Sequence, residues 1–257
     1  MNLVLIEKKE RIGFLTINRP EKRNALSFEL VTELISAFHQ AHEDKEIKVI
    51  ILKASGTIFC AGADLAYLQK LQSNTFEENL EDSRHLKDLY QLIYTMDKVV
   101  IAQINGHAIA GGCGLASICD FSFAVPEAKF GYTEVRIGFV PALVNVFLLR
   151  KLGEGRSRQL LLGGNLIDAV TAMEMGLINW VVPAIHLEER VIEFARSLCI
   201  ENSAESMAYV KKIIAEVPGM ELNKALEYSA TLNAQARASE DCKKGISAFL
   251  NKEKITW

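Results

Sequence analysis

Long apolar runs are missing from this sequence. None approaches the ~18 residues that a membrane-crossing helix needs, so no membrane partner is expected. An excess of one charge is missing too: 29 Lys and Arg stand against 32 Asp and Glu, a formal net charge of −3. Slight acidity is a poor footprint for nucleic acid, and none is expected as a partner. Neither GxGxxG nor GxxxxGK[ST] occurs, which removes the common nucleotide cradles. Sixteen Gly and five Pro are too few for low-complexity or collagen-like chain. The five cysteines, Cys60, Cys113, Cys119, Cys199 and Cys242, form no CxxC pair and are odd in number. A disulfide framework or a zinc site wants paired spacing. The cysteines therefore read as small core residues in a reducing, cytoplasmic compartment, and thiol catalysis has little support. The opening MNLVLIEKKERIG has no basic region ahead of an apolar stretch and is not expected to be a secretory signal.

What is present is a chain of 257 residues, 49% of them hydrophobic, ample for a sizeable core. Leu3–Glu7 and Ile12–Asn18 alternate as a strand pair, with Lys8–Arg11 as the turn. Ser27 is placed to cap a helix on which Leu30, Leu34, Phe38 and Ala41 recur. Ile47–Lys53 and Lys98–Ile104 are short apolar strands suited to a sheet covered on both faces. A helix is expected from Asp64, a longer amphipathic one over Glu77–Met96, and a strand over Asp120–Val125. After Pro141 the pattern predicts helices, at 142–152, 155–162, 168–175, 187–200, 204–217, 222–238 and 241–252, interrupted only by a short strand at Asn179–Val182. An α/β core, then a helical tail with apolar faces, is the expected organisation.

Three segments could carry chemistry. Phe59–Leu65 and Asn105–Gly114 are small-residue turns between a strand and a helix. Without bulky side chains the backbone is open to a ligand. First-turn N–H groups of a helix lack intrahelical acceptors and sit at the positive end of its dipole. Two such turns side by side could aim two N–H groups at one developing oxyanion. Taken singly, each also reads as an ordinary tight turn. The third segment, Ala128–Pro141, sets Glu134 in an apolar, aromatic context. There its charged form would be disfavoured, which suits proton transfer near neutral pH. The other reading of Glu134 is a surface carboxylate paired with Arg136 or Lys129.

Taken together, these segments resemble the crotonase family, also called the enoyl-CoA hydratase/isomerase superfamily. The resemblance runs from Asn18-Arg19-Pro20 and Asn24-Ala25-Leu26 through Ala61–Leu65, Asn105–Ala108, Gly111-Gly112, Cys119-Asp120, Glu134 and Gly138 to Gly245–Lys252. It implies an α/β fold, a crotonase-like spiral of ββα units over residues 1–200, with a C-terminal helical trimerisation region over 201–257. It implies an acyl-CoA thioester as substrate and partner, assembly as a homotrimer or hexamer, no metal, and no cofactor beyond the coenzyme A carried by the substrate. On the family pattern, the N–H groups of Ala63 and Gly111 hold the thioester oxygen and Glu134 is the acid/base. Lys22, Arg23, Ala25, Ala61, Asp64 and Leu65 would line the CoA channel. Phe249 and Lys252 would reach the CoA of the same or an adjacent subunit. His107 and Asp120 are expected to be structural, and Asp64 to cap its helix.

The sequence departs from that pattern twice. Hydratases of the family commonly carry a second glutamate where this chain has Gly114, and a glycine-rich stretch where it has Ala142-Leu143-Val144. Hydration or dehydration with Glu134 as the single acid/base is the favoured reading. The Gly111–Leu115 and Thr133–Ala142 segments look like bacterial methylglutaconyl-CoA hydratases of leucine breakdown. The alternatives are double-bond isomerisation, a polyketide-type dehydration or decarboxylation, and a non-catalytic acyl-CoA or RNA-binding scaffold. Ala66–Asp88 is expected to shape an apolar acyl pocket.

Overall fold

The structure, a computed structural model, describes residues 2–257; the side chain of Leu65 lies outside the described residues. The chain opens on the antiparallel hairpin β1 (Val4–Lys9) and β2 (Ile12–Ile17). There follow α1 (Phe28–Glu43), β3 (Val49–Ala54), α2 (Leu65–Leu71), α3 (Phe76–Thr95), β4 (Val99–Ile104), β5 (Ala108–Ile109), α4 (Gly111–Ile118), β6 (Phe121–Ala124) and β7 (Lys129–Gly131). Beyond a 3-10 turn at Glu134–Ile137 come α5 (Ala142–Gly163), β8 (Ile167–Asp168), α6 (Ala169–Glu174), β9 (Trp180–Val181), α7 (Ala184–Glu201), α8 (Ala204–Glu216), α9 (Leu222–Ala238) and α10 (Glu240–Asn251).

The main sheet runs in the order β1-β2-β3-β4-β6-β9 and is parallel throughout except for the β1–β2 hairpin. β2 and β4 are buried along their whole length, and Val49–Leu52 of β3 are fully covered. A strand covered on both faces carries apolar residues at successive positions, which is why these segments do not alternate. β1 is the edge and exposes most of its residues. Ser27 caps α1 by accepting from the Leu30 N–H, and Leu30, Leu34, Ala37, Phe38 and Ala41 form its buried stripe. Thr75 and Glu78 close a reciprocal capping box at the start of α3, satisfying two otherwise unpaired N–H groups.

A second ladder of short pairings runs beside the main sheet. Leu26 bridges Ala63, Cys60 bridges Ala108, β5 pairs with β7, and β7 pairs with β8. Each turn of the spiral thus gives one long strand to the sheet and one short segment to this ladder. The segments after β2, β3, β4 and β6 contribute Leu26, Cys60–Ala63, β5 and β7 in that order. The expectation that only Asn179–Val182 interrupts the helices after Pro141 is corrected by β8, which also lies there. The helices expected at 142–152 and 155–162 run together as α5 across Gly153, whose φ of 72° and ψ of 175° mark the break between them.

α8 packs on α3 and β4, and α9 and α10 pack on α8. The Lys211 ammonium, almost wholly buried, lies 2.7 Å from the Asp120 carboxylate, which also accepts from the Val100 N–H at 2.7 Å. This ion pair fastens α8 to the start of β4. Val210, Ile214, Leu222, Leu226, Phe249 and Leu250 remain exposed on the helical tail. Among the described residues, no helix is long and apolar enough to cross a membrane.

Candidate active site

The residues singled out by motif lie at equivalent places on consecutive turns of the spiral, beside the short ladder. The Leu26 N–H donates to Gly62 O at 2.7 Å, and the Asp64 N–H donates to Leu26 O at 2.9 Å. These bonds flank Ala63, so its own N–H points to the opposite side, away from Leu26. On the next turn, the Ala110 N–H donates to Gly131 O at 2.8 Å and the Gly114 N–H donates to Ala110 O at 3.0 Å. The carbonyl of the 110–111 peptide is therefore turned into α4, and the Gly111 N–H on the same peptide faces the other way.

The two turns touch. A Cβ on Gly62 would lie 2.9 Å from Ala110 Cβ, and a Cβ on Gly112 would lie 2.4 Å from Cys60 O. Glycine is required at 112 because it abuts the Cys60 carbonyl, and at 62 because the Ala110 methyl and the Ile109 carbonyl crowd a backbone held at φ 91°. Ala63 and Gly111 each directly follow one partner of the Gly62–Ala110 apposition. Ala110 itself has φ 52° and ψ −126°, a conformation that a residue bearing a Cβ rarely adopts. Among the described residues neither the Ala63 nor the Gly111 N–H donates to a protein partner, so the arrangement can set both against one oxygen.

Glu134 opens the 3-10 turn, a few residues beyond β7. Among the described residues it pairs with neither Arg136 nor Lys129. Arg136 instead donates to the Asn165 side chain at 2.5 Å. Glu134 Oε2 is buried and has no hydrogen-bond partner among the described residues. Burial pushes its carboxyl above the ordinary range. Of the two readings left open, the ion-paired surface carboxylate is thus removed, and a partly buried acid with a vacant oxygen remains.

The ligand-side loops are drawn together by the backbone. The Ala61 N–H donates to Arg23 O at 3.1 Å, which sets Lys22, Arg23 and Ala25 beside Ala61 and Asp64. Lys22 and Arg23 are exposed and Ala25 is buried. The Asp64 carboxylate is spent within the chain: it accepts from the Ala66 and Tyr67 N–H groups as the cap of α2 and lies 2.8 Å from Arg19. Only its backbone is left to face a ligand. Leu65, named for the same channel, has its side chain outside the described residues. Phe249 and Lys252 are not brought to this place within one chain. They sit at the end of α10, which packs on α9 and α8, and the Phe249 side chain is exposed.

Sequence reasoning passed over Asn24 as a functional prop. It is fully buried at φ 54°, donates to Ser55 O and Ile58 O at 2.8 and 2.7 Å, and accepts from the Arg19 N–H. A buried Asn beside Arg-Pro signals such a latch, since Asn tolerates left-handed backbone and can satisfy several loop groups at once. His107 Nδ1 accepts from the Lys129 N–H at 3.1 Å, and Asp120 holds Val100 and Lys211; both are structural, as expected. Burial pushes the thiols of Cys60, Cys113 and Cys119 up to about 12, which leaves them inert.

A cavity of about 420 Å³ opens between α2, α3 and the end of the Glu134 turn. Leu68, Leu71, Ile137 and Phe139 line it, together with Gln72, Asn79, Asp82 and Ser83. Segment 66–88 thus gives Leu68 and Leu71 to the lining, as its apolar residues suggest, and α3 adds Asn79, Asp82 and Ser83 beside them; Phe76 points away and is 74% exposed. Burial raises the Asp82 carboxyl as well.

Residues 7–257 match the family model described as enoyl-CoA hydratase/isomerase. A putative enoyl-CoA hydratase of Thermus thermophilus is 38% identical over 248 residues, covering 95% of this chain and 96% of that one. The crotonyl-CoA hydratase of Syntrophomonas wolfei is 34% identical, covering 99% of this chain and 97% of its own. Among solved structures, a putative enoyl-CoA hydratase/isomerase (crotonase) of Legionella pneumophila superposes with a TM-score of 0.89 at 35% identity, covering 98% of each chain.

Proposed function

The chain belongs to the enoyl-CoA hydratase/isomerase family, and from that premise we propose that it adds water across, or removes it from, the 2,3 double bond of an acyl-CoA thioester with Glu134 as its single acid/base. The observation that carries this reading is the vacant, buried Glu134 oxygen on the spiral turn that follows the two abutting amide turns. In this reading the N–H groups of Ala63 and Gly111 hold the thioester oxygen. Charge moving onto that oxygen makes the 3-carbon electrophilic, and two preorganised donors are worth several kcal/mol there, each about 10²–10³ in rate. Glu134 takes a proton from water as the water oxygen bonds to C3, and the enolate forms. The same carboxyl then returns that proton to C2. One water is gained and Glu134 ends as it began.

Lys22 and Arg23, exposed beside the Ala61–Asp64 turn, are the groups inferred to meet the CoA phosphates. The exposed apolar side chains of α8, α9 and α10 support a homotrimer or hexamer, in which Phe249 and Lys252 would meet the CoA of a neighbouring subunit. The cavity beyond Glu134 is inferred to take the acyl group. Among the described residues Asp82 is the one charged residue lining it, so a neutral chain is expected to react faster than the carboxylate-ended 3-methylglutaconyl group.

The test is a panel of 2-enoyl-CoA thioesters, 3-methylglutaconyl-CoA included, followed by loss of conjugated-thioester absorbance and by product mass. A gain of one water supports the proposal. A shifted double bond at constant mass would make the enzyme an isomerase, for which one carboxylate suffices. Turnover of no CoA thioester would reject both.

A further inference from the structure

Tyr90 lies on α3, and nothing in the chemistry above uses it. It is fully buried, yet its hydroxyl does not end in the core. It donates to Gly111 O at 2.9 Å. A buried phenol needs a partner, and this one has found the residue whose N–H faces the site.

The local geometry is tight. The Tyr90 oxygen lies 3.3 Å from where a Cβ on Gly111 would sit and 3.1 Å from where one on Gly114 would sit. Gly111 and Gly114, two of the three glycines in the first turn of α4, are thus what admits the hydroxyl. Phe147 of α5 stands edge-on to the Tyr90 ring, 6.3 Å between centroids and perpendicular to it. Glu134 is near enough for its charge to bear on the phenol, which together with burial stays far from ionising.

We propose that Tyr90 is a positioning residue: by holding Gly111 O it fixes the first turn of α4, and with it the Gly111 N–H, at the place the thioester oxygen must reach. Three bonds then set that turn. Ala110 N–H to Gly131 O anchors the peptide before it, Gly114 N–H to Ala110 O sets the direction of the peptide that carries the Gly111 N–H, and Tyr90 holds the peptide after it. The first two tie α4 to β7 and to itself. Only the third ties it to α3, the helix that also lines the acyl cavity. Small displacements of an oxyanion donor are costly because its strength depends on where charge develops, not on where the ground-state oxygen rests.

The inference rests on the proposed reading that Gly111 N–H holds the thioester oxygen, and one measurement separates the two. The carbonyl stretch of a bound, isotope-edited enoyl thioester is recorded in the wild type and in Tyr90→Phe. A wild-type frequency equal to that of the free thioester would sink the amide reading whatever Tyr90 does. A wild-type downshift that Tyr90→Phe retains in full, with kcat unchanged, would overturn the role of Tyr90 alone. The expected result is a downshift partly lost in Tyr90→Phe. The kcat should be lower by about 10- to 100-fold, less than the 10²–10³ of deleting a donor, and KM within about twofold. A second variant does not depend on Tyr90→Phe folding. Tyr90 replaced by 3-fluorotyrosine keeps the hydroxyl, and kcat and its pH profile should stay in place. A limb of that profile moving with the fluorophenol would make Tyr90 a proton donor and overturn the positioning assignment.

Discussion

Val144 stands in the space that a side chain at position 114 would need. Its Cγ1 is 2.2 Å from where a Cβ on Gly114 would lie, and its Cβ is 3.3 Å away. The glycine at 114 and the Ala142-Leu143-Val144 stretch after Pro141 are therefore one packing event. Val144, 4% exposed, fills the room beside the α4 turn, and Tyr90 closes the rest. A second carboxylate could not be accommodated there by a change at position 114 alone.

This predicts coupled stabilities. Gly114→Ala should cost about 1–3 kcal/mol, the usual cost of overpacking a filled core. Val144→Ala should cost about 2 kcal/mol through the cavity it leaves. The double variant should lose clearly less than the sum, by more than ~0.5 kcal/mol, because each change relieves the other. Urea unfolding of the four proteins measures the cycle, and strictly additive losses would show that the two positions do not compete for space.

Glu134→Gln should separate activity from stability. Burial raises the Glu134 pKa in the folded chain, so the folded state holds that proton more tightly than the unfolded one. Its contribution to stability is fully present below the unfolded pKa and is lost as pH rises through the folded value. The Gln variant should thus be the more stable protein near pH ~8, and the difference should fade as pH falls below the unfolded pKa of about 4.3, since further down the carboxyl is neutral in both states. Its hydration activity should be nearly abolished. In the wild type, the acid limb of kcat/KM should lie above the ordinary carboxylate range. Melting curves that run parallel across this window would contradict the burial account.

Ala110 holds a backbone conformation that favours glycine, φ 52° and ψ −126°. Relieving such strain is worth about 1–3 kcal/mol, against roughly 0.5–1 kcal/mol lost to the freer unfolded chain. Ala110→Gly should therefore gain about 1 kcal/mol, and Ala110→Val should be destabilised by more than that. A lower melting temperature for Ala110→Gly would mean that the Ala110 methyl packing against Gly62 outweighs the strain.

Much of the framework was legible before folding. Ser27 announces α1 because a hydroxyl ahead of an apolar period of about four satisfies an orphan N–H. The tail helix Leu222–Ala238 falls where its pattern places it. Asp64 is the cap it was expected to be, although its pairing with Arg19 was not foreseen. β5, β7 and β8 were missed because pairings two or three residues long carry no periodicity to read. That Asn79 and Asp82 of α3 join Leu68 and Leu71 in lining the cavity is not legible in the sequence, because residue types do not say which side of a helix meets a cavity.

Local chemistry along the chain determined where strands and helices form, which bends are small enough for close backbone approach, and that one acid sits in apolar company. Those are short-range properties: hydrogen-bond capping, steric freedom at glycine, and the period of buried side chains. Only the tertiary structure decided that Gly62 meets Ala110, that Val144 closes the place beside Gly114, and that the Tyr90 hydroxyl ends on Gly111. Each of these joins residues distant in the chain through contacts of a few ångströms, and such contacts depend on how the spiral stacks its turns rather than on any neighbour in sequence.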